Sequence, residues 1–286
     1  MTRTALITGT SSGYGKAMAE LFLARGWNVV ATMRRPDPDI FEGPADRLKI
    51  LRLDVTDAAS IASAVAEGVA HFGAIDALVN NAGIGLASAV EATPDPVVRE
   101  IFETNTFGVF AMCRAIIPLM RGQGHGVIVN VTSSATIGPM PLVAIYAGSK
   151  CAVEGFTESL SYELHPFGIA ARLVEPGYAP TTSFTANGMP RMAGLIPPAY
   201  SEFAEACFAK MADYPTAYCS EQEVAEATFA AATDQGRAIR YPAGPDTRML
   251  AGLRWSTSED RYLGRMREMF EPANSGGRAF GDRSAP

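Results

Sequence analysis

Short runs of apolar residues, β-branched or leucine-rich, recur along the chain at 3–8, 27–32, 48–54, 75–80, 126–132 and 168–174, with a weaker run at 237–241. They are apolar throughout rather than alternating. A strand of that kind has both faces buried, as in a parallel sheet covered by helices on each side. Longer stretches with helical periodicity lie between them, at 13–25, 57–71, 95–121, 147–165 and 220–234. The second carries a helix start signal, since Thr56 or Asp57 can cap it. Repeated strand–helix–strand units predict an α/β fold: a doubly wound parallel sheet in three α/β/α layers. The 286 residues, 48% of them hydrophobic, suit one such domain over 1–271. The stretch 182–215 is rich in proline, glycine, methionine and aromatics, and reads as a mobile, helical substrate lid. The small, polar, glycine-rich segment 272–286 reads as a disordered tail.

Charge and cysteine usage exclude several classes. The net charge is −6, so no basic surplus exists to displace counterions from nucleic acid or an anionic membrane. The longest apolar stretch, VFAMCRAIIPLM, is interrupted by Arg114 and too short to span a bilayer. The amino-terminal MTRTALITGT does not read as a secretion signal. Cysteines at 113, 151, 207 and 219 form no CxxC pair, which suits a reducing, cytoplasmic setting. The histidines, at 71, 125 and 165, are scattered, and no metal site is expected.

The first predicted strand runs directly into TGTSSGYG, Thr8 to Gly15, and then a helix. Bare glycines let backbone approach a pyrophosphate, and the helix amides then face its oxygens. The spacing is GxxxGxG, with Gly9, Gly13 and Gly15. With it the chain resembles the short-chain dehydrogenase/reductase family, a Rossmann-like fold in which this segment binds a dinucleotide. The resemblance implies that Gly9, Ser11, Ser12, Gly13, Tyr14 and Gly15 hold the pyrophosphate. After the second strand an acid would select NAD, whereas this chain has Arg34 and Arg35, which suit a 2′-phosphate. NADP is therefore favoured over NAD. The position before the second glycine, often basic in the family, is Ser12 here. Asp54 and Val55, and the Asn81, Ala82 and Gly83 of an NNAG segment, match the family's adenine and ribose wall.

Tyr146 and Lys150 stand four apart on a predicted helix and share a face. An ammonium beside a phenol favours phenolate and makes it a usable proton exchanger. Ser133 lies thirteen residues earlier at the end of the fifth strand, the family's separation for its catalytic serine. Ser134 is the adjacent alternative. The resemblance assigns Ser133 to the substrate oxygen, Tyr146 to proton transfer, and Lys150 to the tyrosine and the nicotinamide ribose. Asn105 matches an asparagine that links the lysine to solvent through water. Pro176, Gly177 and Thr181 match the loop that meets the nicotinamide carboxamide. RYPAGPD at 240–246 looks like the last strand and its loop, in a layout like the hydroxysteroid-dehydrogenase branch.

The expected reaction is hydride transfer between a nicotinamide and a carbonyl or alcohol. Phe184, Met189, Met192, Leu195, Ile196 and Tyr200 either contact a hydrophobic substrate or pack the lid to the body. A redox sensor that holds NADP(H) without chemistry and an epimerase or dehydratase of the extended branch are the alternatives. The apolar faces of 95–121 and 147–165 predict a homodimer or homotetramer.

Overall fold

The computed structural model describes residues 2–42, 46–179, 181–182, 184–212 and 218–272. Among them, strands β1 (Thr4–Thr8), β2 (Asn28–Met33), β3 (Leu48–Arg52), β4 (Ala77–Asn80), β5 (Gly126–Val131), β6 (Ile169–Pro176) and β7 (Arg240–Ala243) form one sheet in the order β3-β2-β1-β4-β5-β6-β7. Every pairing is parallel. Consecutive residues serve opposite layers, as the strand period of two requires. Ile7, Val29, Val79 and Val129 pack with α1 (Gly13–Ala24) and α8 (Glu221–Thr233) on one face. Leu6, Val30, Leu78 and Ile128 pack with α2 (Ala58–Phe72), α4 (Gly108–Gln123) and α5 (Ala144–Leu164) on the other. Asp57, not Thr56, caps α2, accepting from the amides of Ala59 and Ser60 at 2.9 and 3.3 Å.

One polar seam crosses this apolar core. Asn80 and Asn130 are register partners on β4 and β5. Asn80 donates to Asn130 Oδ1 at 2.8 Å, and Asn130 donates to Thr157 Oγ1 on α5 at 2.8 Å. Both asparagines are buried, and Asn80 Oδ1 has no partner among the described residues.

Two elements depart from expectation, the central helix and the last strand. The continuous helix predicted over 95–121 is α3 (Asp95–Phe102), one π turn (Glu103–Phe107) and then α4. The wider turn carries the buried Asn105 and Thr106, and Thr106 Oγ1 donates to the carbonyl of Ser149 at 2.8 Å. The last strand lies three residues further on than predicted, at Arg240–Ala243. As an edge strand it tolerates Pro242. The lid is ordered into α6 (Phe184–Met192) and α7 (Ser201–Ala212), and the chain continues after β7 as α9 (Pro245–Ser256) and α10 (Glu259–Phe270). Ile137, Leu250, Tyr262 and Met266 form a separate small core beneath α9 and α10. Parts of the expected lid (183 and 213–215), and the expected tail from 273 onward, lie outside the described residues. No helix among the described residues is long and apolar enough to cross a membrane.

Candidate active site

All strand carboxyl ends face one edge, and chain order reverses between β1 and β4. Such a switch point opens a crevice where ligands bind in open α/β sheets. A cavity of about 1340 Å³ lies there, lined from Gly9 on the first turn to Phe270 at the end of α10. Pockets for drug-sized ligands run to roughly 1,000 Å³, so this one has room for a dinucleotide and a second molecule.

The glycine turn at its floor leaves no space for side chains. Gly9 has φ +72°, and a Cβ there would stand 2.9 Å from Ala82 Cα. A Cβ on Gly15 would stand 2.2 Å from the carbonyl oxygen of Gly9 and 2.5 Å from Asn81 Nδ2. The turn is stitched to the segment after β4. Thr8 Oγ1 accepts from the amides of Asn81 and Ala82, both at 3.0 Å, while Asn81 Nδ2 donates to the carbonyls of Thr8 at 2.9 Å and Gly9 at 3.1 Å. Tyr14 Oη donates to the carbonyl of Gly177 at 2.9 Å and ties the turn to the loop after β6. That loop presses on Asp246: a Cβ on Gly177 would stand 2.0 Å from its carboxylate, and Asp246 accepts from the amide of Tyr178 at 3.1 Å. Burial pushes the Asp246 carboxyl up.

Arg34, Asp54 and Val55 line the cavity, as do Ser11, Ser12, Gly13, Asn81, Ala82, Gly83 and Pro176. The Asp54 carboxylate is held low chiefly by the Thr56 amide, at 3.0 Å, with Arg34 and Arg52 adding to it. Two expected cofactor residues are elsewhere. Arg35, in the bend that follows β2, is exposed and not part of the lining. Thr181 donates to the carboxylate of Glu221 at 3.1 Å, and its neighbour Thr182 takes the place on the cavity wall. Thr182 Cβ sits 3.5 Å from where a Cβ on Gly13 would be.

Ser133, Tyr146 and Lys150 converge on the wall opposite the turn. Ser133 lies two residues beyond β5 and caps a short 3-10 turn, its Oγ accepting from the amide of Ala135 at 3.2 Å. Tyr146, in the first turn of α5, lines the same cavity wall as Ser133. Burial raises the phenol's pKa, and the Ser133 hydroxyl works against that rise. Lys150, one turn further on, donates to the carbonyl of Val131 at 3.0 Å, and burial pulls its ammonium down to about 8.

Asn105 stands behind the wall rather than in it. Its Oδ1 accepts from the amide of Ile84 at 2.8 Å, and its Nδ2 donates to the carbonyl of Ile84 at 2.9 Å and to Ser149 Oγ at 3.2 Å. Gly83 separates it from Lys150: a Cβ there would be 3.3 Å from both Asn105 Oδ1 and Lys150 Nζ. Asn105 therefore pins the loop on which the wall is built.

The lid supplies the roof. Phe184, Met189 and Met192 line the cavity, whereas Leu195 packs with Leu86 and Ile101, and Ile196 and Tyr200 take no part in the lining. Arg191 on α6 grips Glu100 on α3 with bonds of 3.0 and 2.7 Å, and both side chains line the cavity. Sequence separation hid this pair, as it hid Thr8 and Asp246. Only Thr8's place before the first glycine and Asp246's place in RYPAGPD marked them beforehand.

The arrangement offers a bare-backbone cradle, a cationic side chain at its edge, and a serine–tyrosine pair with a buried amine one turn away. Residues 3–190 match the family model for short chain dehydrogenase. The chain is 40% identical over 182 residues to a 3-ketodihydrosphingosine reductase of Bacteroides thetaiotaomicron, an alignment covering 64% of this chain and 65% of that one. Among solved structures, a short-chain dehydrogenase of Streptomyces avermitilis superposes with a TM-score of 0.75 at 30% identity, covering 94% of this chain and 93% of the other. A 3-ketoacyl-(acyl-carrier-protein) reductase of Brucella melitensis, complexed with NADH, gives a TM-score of 0.68 at 28% identity over 84% and 95% of the two chains.

Proposed function

The chain belongs to the short-chain dehydrogenase family of oxidoreductases, and on that footing we propose that it interconverts a hydrophobic ketone or aldehyde and the corresponding alcohol, with NADP(H) as cofactor. The observation that carries this reading is the convergence of Ser133, Tyr146 and Lys150 on the wall of one cavity whose floor is a glycine cradle. The cradle fits a dinucleotide, because a Cβ at Gly9 or Gly15 would fill it.

A bound nicotinamide dinucleotide supplies or receives the hydride. Gly9 to Gly15 hold the pyrophosphate, Asp54 to Val55 and Asn81 to Gly83 the adenosine, and Lys150 the nicotinamide ribose. Pro176 and Gly177 meet the nicotinamide end. Arg34 selects NADP, since a guanidinium pairs with a 2′-phosphate that an acid there would repel. Ser133 donates to the substrate oxygen and polarises it. Tyr146 passes its phenolic proton to that oxygen in reduction and takes one back in oxidation. Its raised pKa keeps it a proton donor at neutral pH. Lys150 carries its charge at neutral pH, since burial pulls its ammonium down only to about 8, and anionic groups joining the site would hold that charge in place. Asn105 holds the 83–85 loop against Lys150 and places the relay between lysine and solvent.

The domain runs over 1–271, with the segment about 182–215 as its substrate lid. Four unpaired thiols, three of them buried, suit the cytoplasm. Phe107 on the π turn is half exposed, and Phe110 and Phe156 stack across α4 and α5 at 4.2 Å. That aromatic face suits association with a second copy as a homodimer or homotetramer, a state that size exclusion with light scattering reads directly.

The test is NADPH and NADH oxidation at 340 nm over a panel of apolar ketones, with Tyr146→Phe beside the wild type. Turnover that prefers NADPH and falls at least 10³-fold in the variant is the expected result. Turnover surviving the substitution overturns the mechanism, and tight NADPH binding with no turnover of any carbonyl points to a sensor.

A further inference from the structure

Two separate apolar clusters flank the cavity. On the lid side, Tyr146 packs with Leu86, Ile84 and Met192. On the other side, Met140 and Met211 pack against the core beneath α9 and α10. Met192, Met140 and Met211 all face the cavity as well. Phe184, the first residue of α6, lays its ring on the bare backbone of Gly85. A Cβ on Gly85 would stand 2.7 Å from Phe184 Cε1 and 2.9 Å from Cζ. The same ring meets the Tyr146 ring edge-on, with centroids 5.9 Å apart. One aromatic side chain therefore fills the space between the Gly85 loop and the reacting phenol.

We infer that Phe184, seated on Gly85, is the specificity-determining residue of this site: it restricts the substituent on one side of the reacting carbonyl to a slim group, while the methionine-lined side towards α7 takes a long, unbranched apolar chain. The inference rests on the oxidoreductase reading and sharpens it to a substrate class, the slim-headed linear ketone or its alcohol. Methionine side chains are unbranched and adapt to chains of varied course, whereas an aromatic ring clamped between backbone and a second ring has a fixed outline. Phe184 is 40% exposed, so the protein core does not depend on it. The fit at Gly85 gives the ring its position, since any larger residue there must displace it.

The experiment uses the full chain with NADPH, matched pairs of 2-alkanones and aryl ketones, and the variants Phe184→Ala, Gly85→Ala and both together. Phe184→Ala is expected to raise kcat/KM for ketones bulky on both sides at least tenfold, while 2-alkanones change by less than threefold. Gly85→Ala should alter the same ratio in the wild-type background and leave it unaltered once Phe184 is alanine. Met211→Ala should lengthen the longest 2-alkanone accepted without touching the aryl preference. Binding of a solvatochromic naphthyl ketone, read by its emission, runs in parallel and needs no turnover. Phe184→Ala should tighten it at least fivefold. If no carbonyl is turned over yet probe affinity shifts this way, the oxidoreductase reading falls and the shape inference stands. A ratio and a probe affinity both unchanged within twofold in Phe184→Ala, or a Gly85→Ala effect that persists without Phe184, overturns it.

Discussion

Replacing Lys150 by methionine should abolish turnover and, in the cofactor-free protein, raise stability at neutral pH. The side chain is 5% exposed, with one hydrogen bond, to Val131. Burial lowers its pKa from 10.5 to about 8, which corresponds to a penalty of about 3 kcal/mol at roughly 1.4 kcal/mol per tenfold. Below pH 8 folded and unfolded chains both carry the proton, and the folded state bears the whole penalty. Between pH 8 and 10.5 the folded chain has released its proton while the unfolded chain still holds one. Wild-type stability therefore gains about 1.4 kcal/mol per pH unit from this group across that window. Above it both states are neutral and the penalty is gone. Lys150→Met lacks the penalty throughout, and loses about 1 kcal/mol for the missing hydrogen bond. The variant should be about 2 kcal/mol more stable at pH 7 and no more stable than wild type at pH 10.5. Urea unfolding followed by tryptophan fluorescence at several pH values gives the difference, and the other titrating groups, shared by both proteins, largely cancel. A difference that stays flat from pH 7 to 10.5, or a wild type that is the more stable at pH 7, would refute the reasoning.

Gly15→Ala should cost about 1–3 kcal/mol of stability through overpacking, because its methyl lands 2.2 Å from the Gly9 carbonyl. It should also weaken NADPH binding at least 100-fold by fluorescence titration; unaltered affinity would remove the turn from the cofactor site. Arg34→Asp should swing the NADP/NAD ratio of kcat/KM by about two orders of magnitude, while Arg35→Asp moves it less than threefold. Equal effects from both would mean that facing the cavity does not decide cofactor choice. Arg191→Ala should leave the melting temperature within a degree or two, since an ion pair with a half-exposed partner is worth about 0.5–1 kcal/mol at most. If the pair with Glu100 fastens the lid, cofactor release in a stopped flow should quicken about two- to fivefold, and added salt should erase the gap.

The layered sheet was legible because its signal is local. Leu6 and Ile7 are both apolar since each meets a different layer, and that repeats at Leu78–Val79 and Ile128–Val129. The glycine turn and the Tyr146–Lys150 spacing were legible for the same reason. The bounds of the lid helices were not. Phe184–Met192 contains Asn187, Gly188 and Pro190, and it faces a cavity rather than a core, so no helical stripe of apolar residues marks it. Arg191 and Glu100, or Thr8 and Asn81, meet only when the sheet closes, and nothing in either segment names its partner. The choice between Thr181 and Thr182 depended on which hydroxyl the Glu221 carboxylate claimed, a contact made across 40 residues.

A pattern of apolar residues on both sides of a strand forbids sliding by one position, which would swap its faces, but not by two. The amide pair between β4 and β5 closes that loophole. Sliding either strand two places would break the Asn80–Asn130 bond and leave amide groups without that partner in hydrocarbon, at a cost of several kcal/mol. Ser133 follows Asn130 by three residues, and Thr157 belongs to the helix that bears Tyr146. The seam therefore keys the spacing of the two hydroxyls from underneath, independently of everything above the sheet. Lids exchanged wholesale to alter what this scaffold accepts should inherit correctly aligned chemistry, provided those two asparagines stay.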